Sequence, residues 1–106
     1  MRKPVALTAQ DWITEIKNNT PGTLEQLYSM LRPLFMDFGK RYTQQEEDVL
    51  DVFQDAMIVF YENIQTGKLT VLDSTVKTYV FSIGKHLLIN KLKKQQKKLF
   101  YLIKIH

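Results

Sequence analysis

The sequence predicts an all-α protein, a compact bundle of about four helices. Three observations carry that expectation. Apolar residues recur at three- and four-residue spacing in four separate segments, turn clusters such as NNTPG at 18–22 punctuate them, and no stretch shows the two-residue alternation of a half-buried strand. A chain of 106 residues has room for one hydrophobic core and not for two independent ones.

The first helix is expected over about 9–19, with Thr8 as its cap, Asp11 three residues later closing a capping box, and Trp12, Ile13 and Ile16 on one side. It is short and needs packing to persist. After the NNTPG turn, Thr23 and Gln26 have the spacing of a second capping box. The helix they would open carries Leu24, Leu27, Tyr28, Leu31, Leu34, Phe35 and Phe38 as a dense apolar stripe. Pro33 lies inside it and should bend it, since the donor to residue 29 is missing.

The third helix, about 45–64, gathers Val49, Leu50, Phe53, Ala56, Met57, Phe60 and Ile64 into one arc. Opposite lie Glu47, Asp48, Asp51, Asp55 and Glu62, with Ile58 and Val59 among them. Residues 65–73 read as a connection, with Gly67 as the helix stop. Ser74 or Asp73 can cap the fourth helix, about 74–98, whose inner arc is expected to be Val76, Tyr79, Val80, Ile83 and Leu87 and whose outer side carries Lys77, Phe81, Lys85 and Leu88. The last two helices should pack by their apolar arcs, with the second wrapped against them. The expected domain is 1–98. Residues 99–106 form an apolar tail, or the start of a linker to a missing C-terminal domain, that either packs back on the bundle or belongs against something else.

Charge is distributed unevenly. The formal net charge is +4, which by itself fits many soluble proteins. Residues 44–73, however, hold Glu46, Glu47, Asp48, Asp51, Asp55, Glu62 and Asp73 against Lys68 alone. From residue 74 onward Lys77, Lys85, Lys91, Lys93, Lys94, Lys97, Lys98 and Lys104 meet no acid in the sequence. An acidic side and a basic side on one small domain point to two different partners.

Several function classes fall away. With no cysteine there is no disulfide, thiolate metal site or thiol catalysis. His86 and His106 are the only histidines, and no zinc-protease motif, nucleophile elbow or phosphate loop occurs. No enzyme activity, catalytic residue, metal site or cofactor is expected. Asp48, Asp51 and Asp55 lack the ligand order of a calcium loop and read as a solvated face. The N-terminus has no signal-peptide core and no apolar run approaches a membrane span, so the chain is read as soluble and cytoplasmic.

Two sets of residues leave alternatives open. Asp51, Gln54, Asp55, Ile58 and Tyr61 mix apolar and polar groups, as a water-facing surface or a protein-docking surface can. Lys77, Phe81 and Lys85 recur every four residues, which suits a single nucleic-acid strand if the ring is free, and ordinary helix packing if it is not. The fourth helix taken alone favours packing. A basic amphipathic helix also fits a membrane surface or a calmodulin-like groove.

The order of residues adds what charge does not. DVFQDAMIVFYENI at 51–64, followed by VKTYVFSIGKHLLINKLKK at 76–94, resembles the second conserved region of bacterial RNA polymerase sigma factors of the extracytoplasmic-function group. The family's Asp-apolar-apolar-Gln-Glu segment is similar to Asp51, Val52, Phe53, Gln54 and Asp55, with an aromatic following at Tyr61. Its Ile-Ala-Arg-Asn-Leu segment and later basic pair look like Ile83, Gly84, Lys85, His86 and Leu87, then Lys93 and Lys94. TPGTLEQLYSMLRPLF is similar to the family's beginning, so the resemblance spans about 8–98. Tyr79 stands for the usual Trp, Lys85-His86 for Arg-Asn, and Asn90 for a common Asp. The family's C-terminal helix-turn-helix domain has no counterpart in these residues, which are expected to be either the whole factor or a piece of a longer one.

The resemblance implies a partner for each charged face. It assigns Asp51, Gln54, Asp55, Ile58 and Tyr61 to core RNA polymerase, against the clamp helices of its largest subunit. It assigns Lys77, Phe81, Lys85, His86, Asn90, Lys93 and Lys94 to promoter DNA, the non-template strand of the minus-ten element. Recognition and melting of that element would need no chemistry from the protein. The alternative is a sigma-like interaction module without transcriptional activity, for instance one that occupies an anti-sigma factor.

Overall fold

The computed structural model describes residues 7–105, leaving His106 and the side chain of Ile105 outside the described part. Four helices follow one another: α1 (Ala9–Lys17), α2 (Thr23–Gly39), α3 (Glu46–Gln65) and α4 (Val76–Ile105). Among the described residues there is no strand, as expected.

α1 begins as its sequence predicts, with the Asp11 amide donating to Thr8 Oγ1 and the Thr8 amide donating back to Asp11, both at 3.1 Å. Its far end is tied to the end of α3: Lys17 Nζ donates to the Gln65 carbonyl at 2.8 Å, and Gln65 Nε2 to the Ile16 carbonyl at 2.9 Å. α2 starts differently from expectation. Its N-cap is Gly22, at φ 82°, and no side chain caps it. Thr23 cannot serve because it is already inside the helix and buried. Pro33 lies exposed on α2, which continues past it to Gly39. α3 stops at Gly67, whose φ of 81° is the left-handed geometry of a helix end. Neither Ser74 nor Asp73 caps α4; Thr75 does, its Oγ1 accepting the Thr78 amide at 3.1 Å.

α3 touches all three other helices and is the centre of the bundle. Its position widens its buried arc: Val52 joins Val49, Phe53, Ala56, Met57, Phe60 and Ile64 in the core, while Leu50 is only half-buried. Phe35, Phe53 and Phe60 are fully enclosed, each contributing roughly 1.5–3 kcal/mol by leaving water.

The buried row on α4 departs from the expected arc. It runs Val76, Val80, Gly84 and Leu88, one residue every four, and Leu88 lies in the core at 0% exposure instead of on the outer side. Tyr79, Ile83 and Leu87 are half-buried at its edge. Gly84 explains the shift. A Cβ there would stand 2.5 and 2.6 Å from two ring atoms of Phe35, so α2 and α4 meet where a side chain is missing. Gly84→Val should therefore cost about 1–3 kcal/mol through overpacking, readable as a lower midpoint in urea.

α4 also extends beyond the expected end. Its 30 residues, at about 1.5 Å each, outrun the bundle and give the molecule its 64 × 30 × 23 Å outline. Leu99, Phe100, Tyr101, Leu102 and Ile103 are all at least half exposed on that extension and do not pack back on the bundle.

Candidate docking and nucleic-acid surfaces

At roughly 100° per residue, Asp51, Gln54, Asp55, Ile58 and Tyr61 fall on one side of α3, with Asp51 at its edge in contact with Lys91 of α4. Asp51, Gln54, Asp55 and Ile58 are exposed and Tyr61 half-buried. Two of them are fixed by hydrogen bonds to neighbouring segments. Gln54 Nε2 donates to Tyr28 Oη at 3.2 Å, and Tyr61 Oη donates to Asn19 Oδ1 at 3.1 Å. Together with Leu24, Tyr28 and Met57, the side chains of Gln54, Ile58 and Tyr61 border an open, mostly apolar groove of about 490 Å³ between α2 and α3; Asp51 and Asp55 are not part of its lining. Leu24, Tyr28 and Met57 are the members that the sequence did not reveal, because they share the apolar stripes of α2 and α3 with true core residues. The groove offers an apolar seat with carboxylates beside it, which suits a helix bearing apolar and basic side chains.

Acid and base meet at one place only among the described residues. Lys91 Nζ lies 3.3 Å from Asp51 Oδ2 and 3.5 Å from Asp48 Oδ1, and Gln95 Nε2 donates to Asp48 Oδ2 at 3.1 Å. Burial alone would lower the Lys91 pKa, but the hydrogen bond to Asp51 and the attraction of both carboxylates outweigh it, and the pKa is raised above 10.5. A raised folded-state value means that the Lys91 contribution is complete below pH 10.5 and lost as pH climbs through the elevated value. Lys91→Met should cost about 0.5 kcal/mol near neutrality. In paired urea titrations the gap between variant and wild type should close in strong alkali.

Among the described residues, the remaining lysines of α4 have no carboxylate partner. Lys77, Lys85, Lys93, Lys94, Lys97 and Lys98 are exposed, and none has a carboxylate within 4.0 Å. The candidate DNA residues divide into two strips. Lys77, Phe81 and Lys85 run along the side that faces α2, whereas His86, Asn90 and Lys93 lie roughly 150° round the helix, with Asn90 Nδ2 and His86 Nε2 3.2 Å apart. Lys94 sits at the edge of the second strip. Phe81 is half-buried, meeting Phe35 edge-on at 5.1 Å and Phe38 at 5.3 Å, so it is not the free ring that its spacing allowed. The packing favoured for this helix from sequence holds for the ring, while its lysines stay in water.

No group of three metal-ligating side chains occurs among the described residues, and Asp48 and Asp51 are already occupied by Lys91. No described helix is long and apolar enough to cross a membrane. Acid beside an apolar groove on one helix and unpaired base on the next are the two surfaces that the described residues present. The chain belongs to the sigma-70 region 2 family, whose model matches residues 27–98. It is a sigma-factor domain, non-catalytic, of the kind that binds core RNA polymerase and recognises the minus-ten promoter element. No curated protein and no solved structure matches it.

Proposed function

We propose that core polymerase docks on the exposed side of α3 and that α4 holds the displaced promoter strand. The clamp helices of the polymerase's largest subunit would seat in the groove between α2 and α3, against Asp51, Gln54, Asp55, Ile58 and Tyr61. The non-template strand of the minus-ten element would run along α4, its phosphates on Lys77, Lys85, Lys93 and Lys94, with His86 and Asn90 toward bases on one strip and Phe81 on the other. Melting follows from holding unpaired bases more favourably than the duplex stacks them. Such a factor works in the cytoplasm, beside polymerase and chromosome, and an anti-sigma partner would act by covering the same groove.

The separation of charge carries this proposal. Apart from the contact of Lys91 with Asp48 and Asp51, the acids of α3 and the lysines of α4 have no partner of opposite charge among the described residues, a state that costs self-repulsion and is relieved by partners of opposite sign. Fluorescence anisotropy of labelled single-stranded minus-ten and scrambled oligonucleotides, with core polymerase present, tests it. Tighter binding of the minus-ten strand is expected, and equal weak binding of both strands would refute it.

A further inference from the structure

We propose, resting on the reading above, that the C-terminal end of α2 extends the strand-binding surface: Tyr42, Phe38 and Phe81, flanked by Arg41 and Lys77, form a stacking step for one unpaired base and its adjoining phosphates. The five residues come from two segments that the family resemblance treats separately, and Phe38, Arg41 and Tyr42 have no role in it.

The rings form a ladder from core to surface. Phe35 is fully buried, Phe81 meets it at 5.1 Å, Phe38 meets Phe81 at 5.3 Å, and Tyr42 meets Phe38 at 5.5 Å. Only Phe35 is enclosed; Phe81, Phe38 and Tyr42 are each half-buried. Each inner rung has a cation beside its ring. Lys77 Nζ stands 5.5 Å from the Phe81 centroid and the Arg41 guanidinium 5.7 Å from that of Phe38. Asp37 lies one turn before Arg41, yet among the described residues neither Arg41, Lys77 nor the neighbouring Lys40 and Lys85 has a carboxylate within 4.0 Å.

That combination favours a single strand over other ligands. A partly exposed ring gives a base a π-surface to stack on, and the cations beside it can turn from ring to phosphate, exchanging a weak attraction for a charge-assisted one. A duplex keeps its bases' faces hidden and cannot use the rings. The chemistry recognised is a base plane and its phosphates, with no hydrogen-bonding edge read. The step therefore adds affinity for any base and leaves sequence preference to α4.

The experiment is anisotropy with the full chain on core polymerase, using minus-ten and scrambled single strands. Tyr42→Ala should weaken both by about fivefold or more and by the same factor, and Tyr42→Phe should bind as wild type. Arg41→Gln should flatten the dependence of log affinity on log salt by about 0.7 for the phosphate it no longer neutralises. Unchanged binding in Tyr42→Ala and Arg41→Gln, while reversal of Lys93 and Lys94 still weakens it, removes the α2 step and leaves the broader reading standing. A wild-type chain that holds no strand removes both. Loss of polymerase co-purification in either α2 variant, with circular dichroism unchanged, overturns the step in favour of a protein contact.

Discussion

Phe35→Ala should lower stability by about 3–5 kcal/mol, the largest loss expected of any single substitution here. Phe35 has 0% exposure, and its ring lies 5.5 Å from Phe53, 5.6 Å from Phe38 and 5.1 Å from Phe81, over the gap left by Gly84. Its ring reaches α3 through Phe53 and α4 through Phe81. Removing it leaves a cavity that cannot collapse, because Gly84 has no side chain to fill it. Domains of this size have about 5–15 kcal/mol in total, so the variant should melt more than about 10 °C lower. A loss under about 1 kcal/mol would mean that α2 and α4 are held together by something other than this ring.

Reversal of Lys93 and Lys94 together, to Glu, should separate binding from folding. Both side chains are exposed and unpaired, so stability should change by about 0.5 kcal/mol or less. The formal charge falls from +4 to zero, with the change concentrated on the candidate strand path. Affinity for single-stranded minus-ten DNA should drop by about tenfold or more at low salt. The salt dependence should flatten by about 0.7 for each phosphate left without its lysine. An unaltered affinity would place the strand elsewhere.

The helices were legible in the sequence because each carries its own signal. The Thr8–Asp11 pair fixed the start of α1, and the acid-rich stretch around an apolar arc fixed α3 to within about a residue. What escaped depended on neighbours. The glycine at 84 contributes nothing to an apolar arc, yet it lets α2 approach closest, and that approach draws Leu88 inward and Phe81 against Phe35 and Phe38. Leu24 and Tyr28 look like core in a periodicity and prove to line a groove. Thr23 has the residue type of a cap but is turned inward. Gln95, Gln96 and the lysines around them are good helix formers with no stop signal, and α4 runs on through them to Ile105.

The separation of the surfaces is tested most directly by co-purification of two charge variants with core RNA polymerase. With Asp55→Lys and Ile58→Glu combined on α3, the polymerase should be lost. The Lys93→Glu, Lys94→Glu variant should be retained as wild type. Equal loss in both, or loss in the lysine variant alone, would mean that one surface serves both partners and would contradict the account.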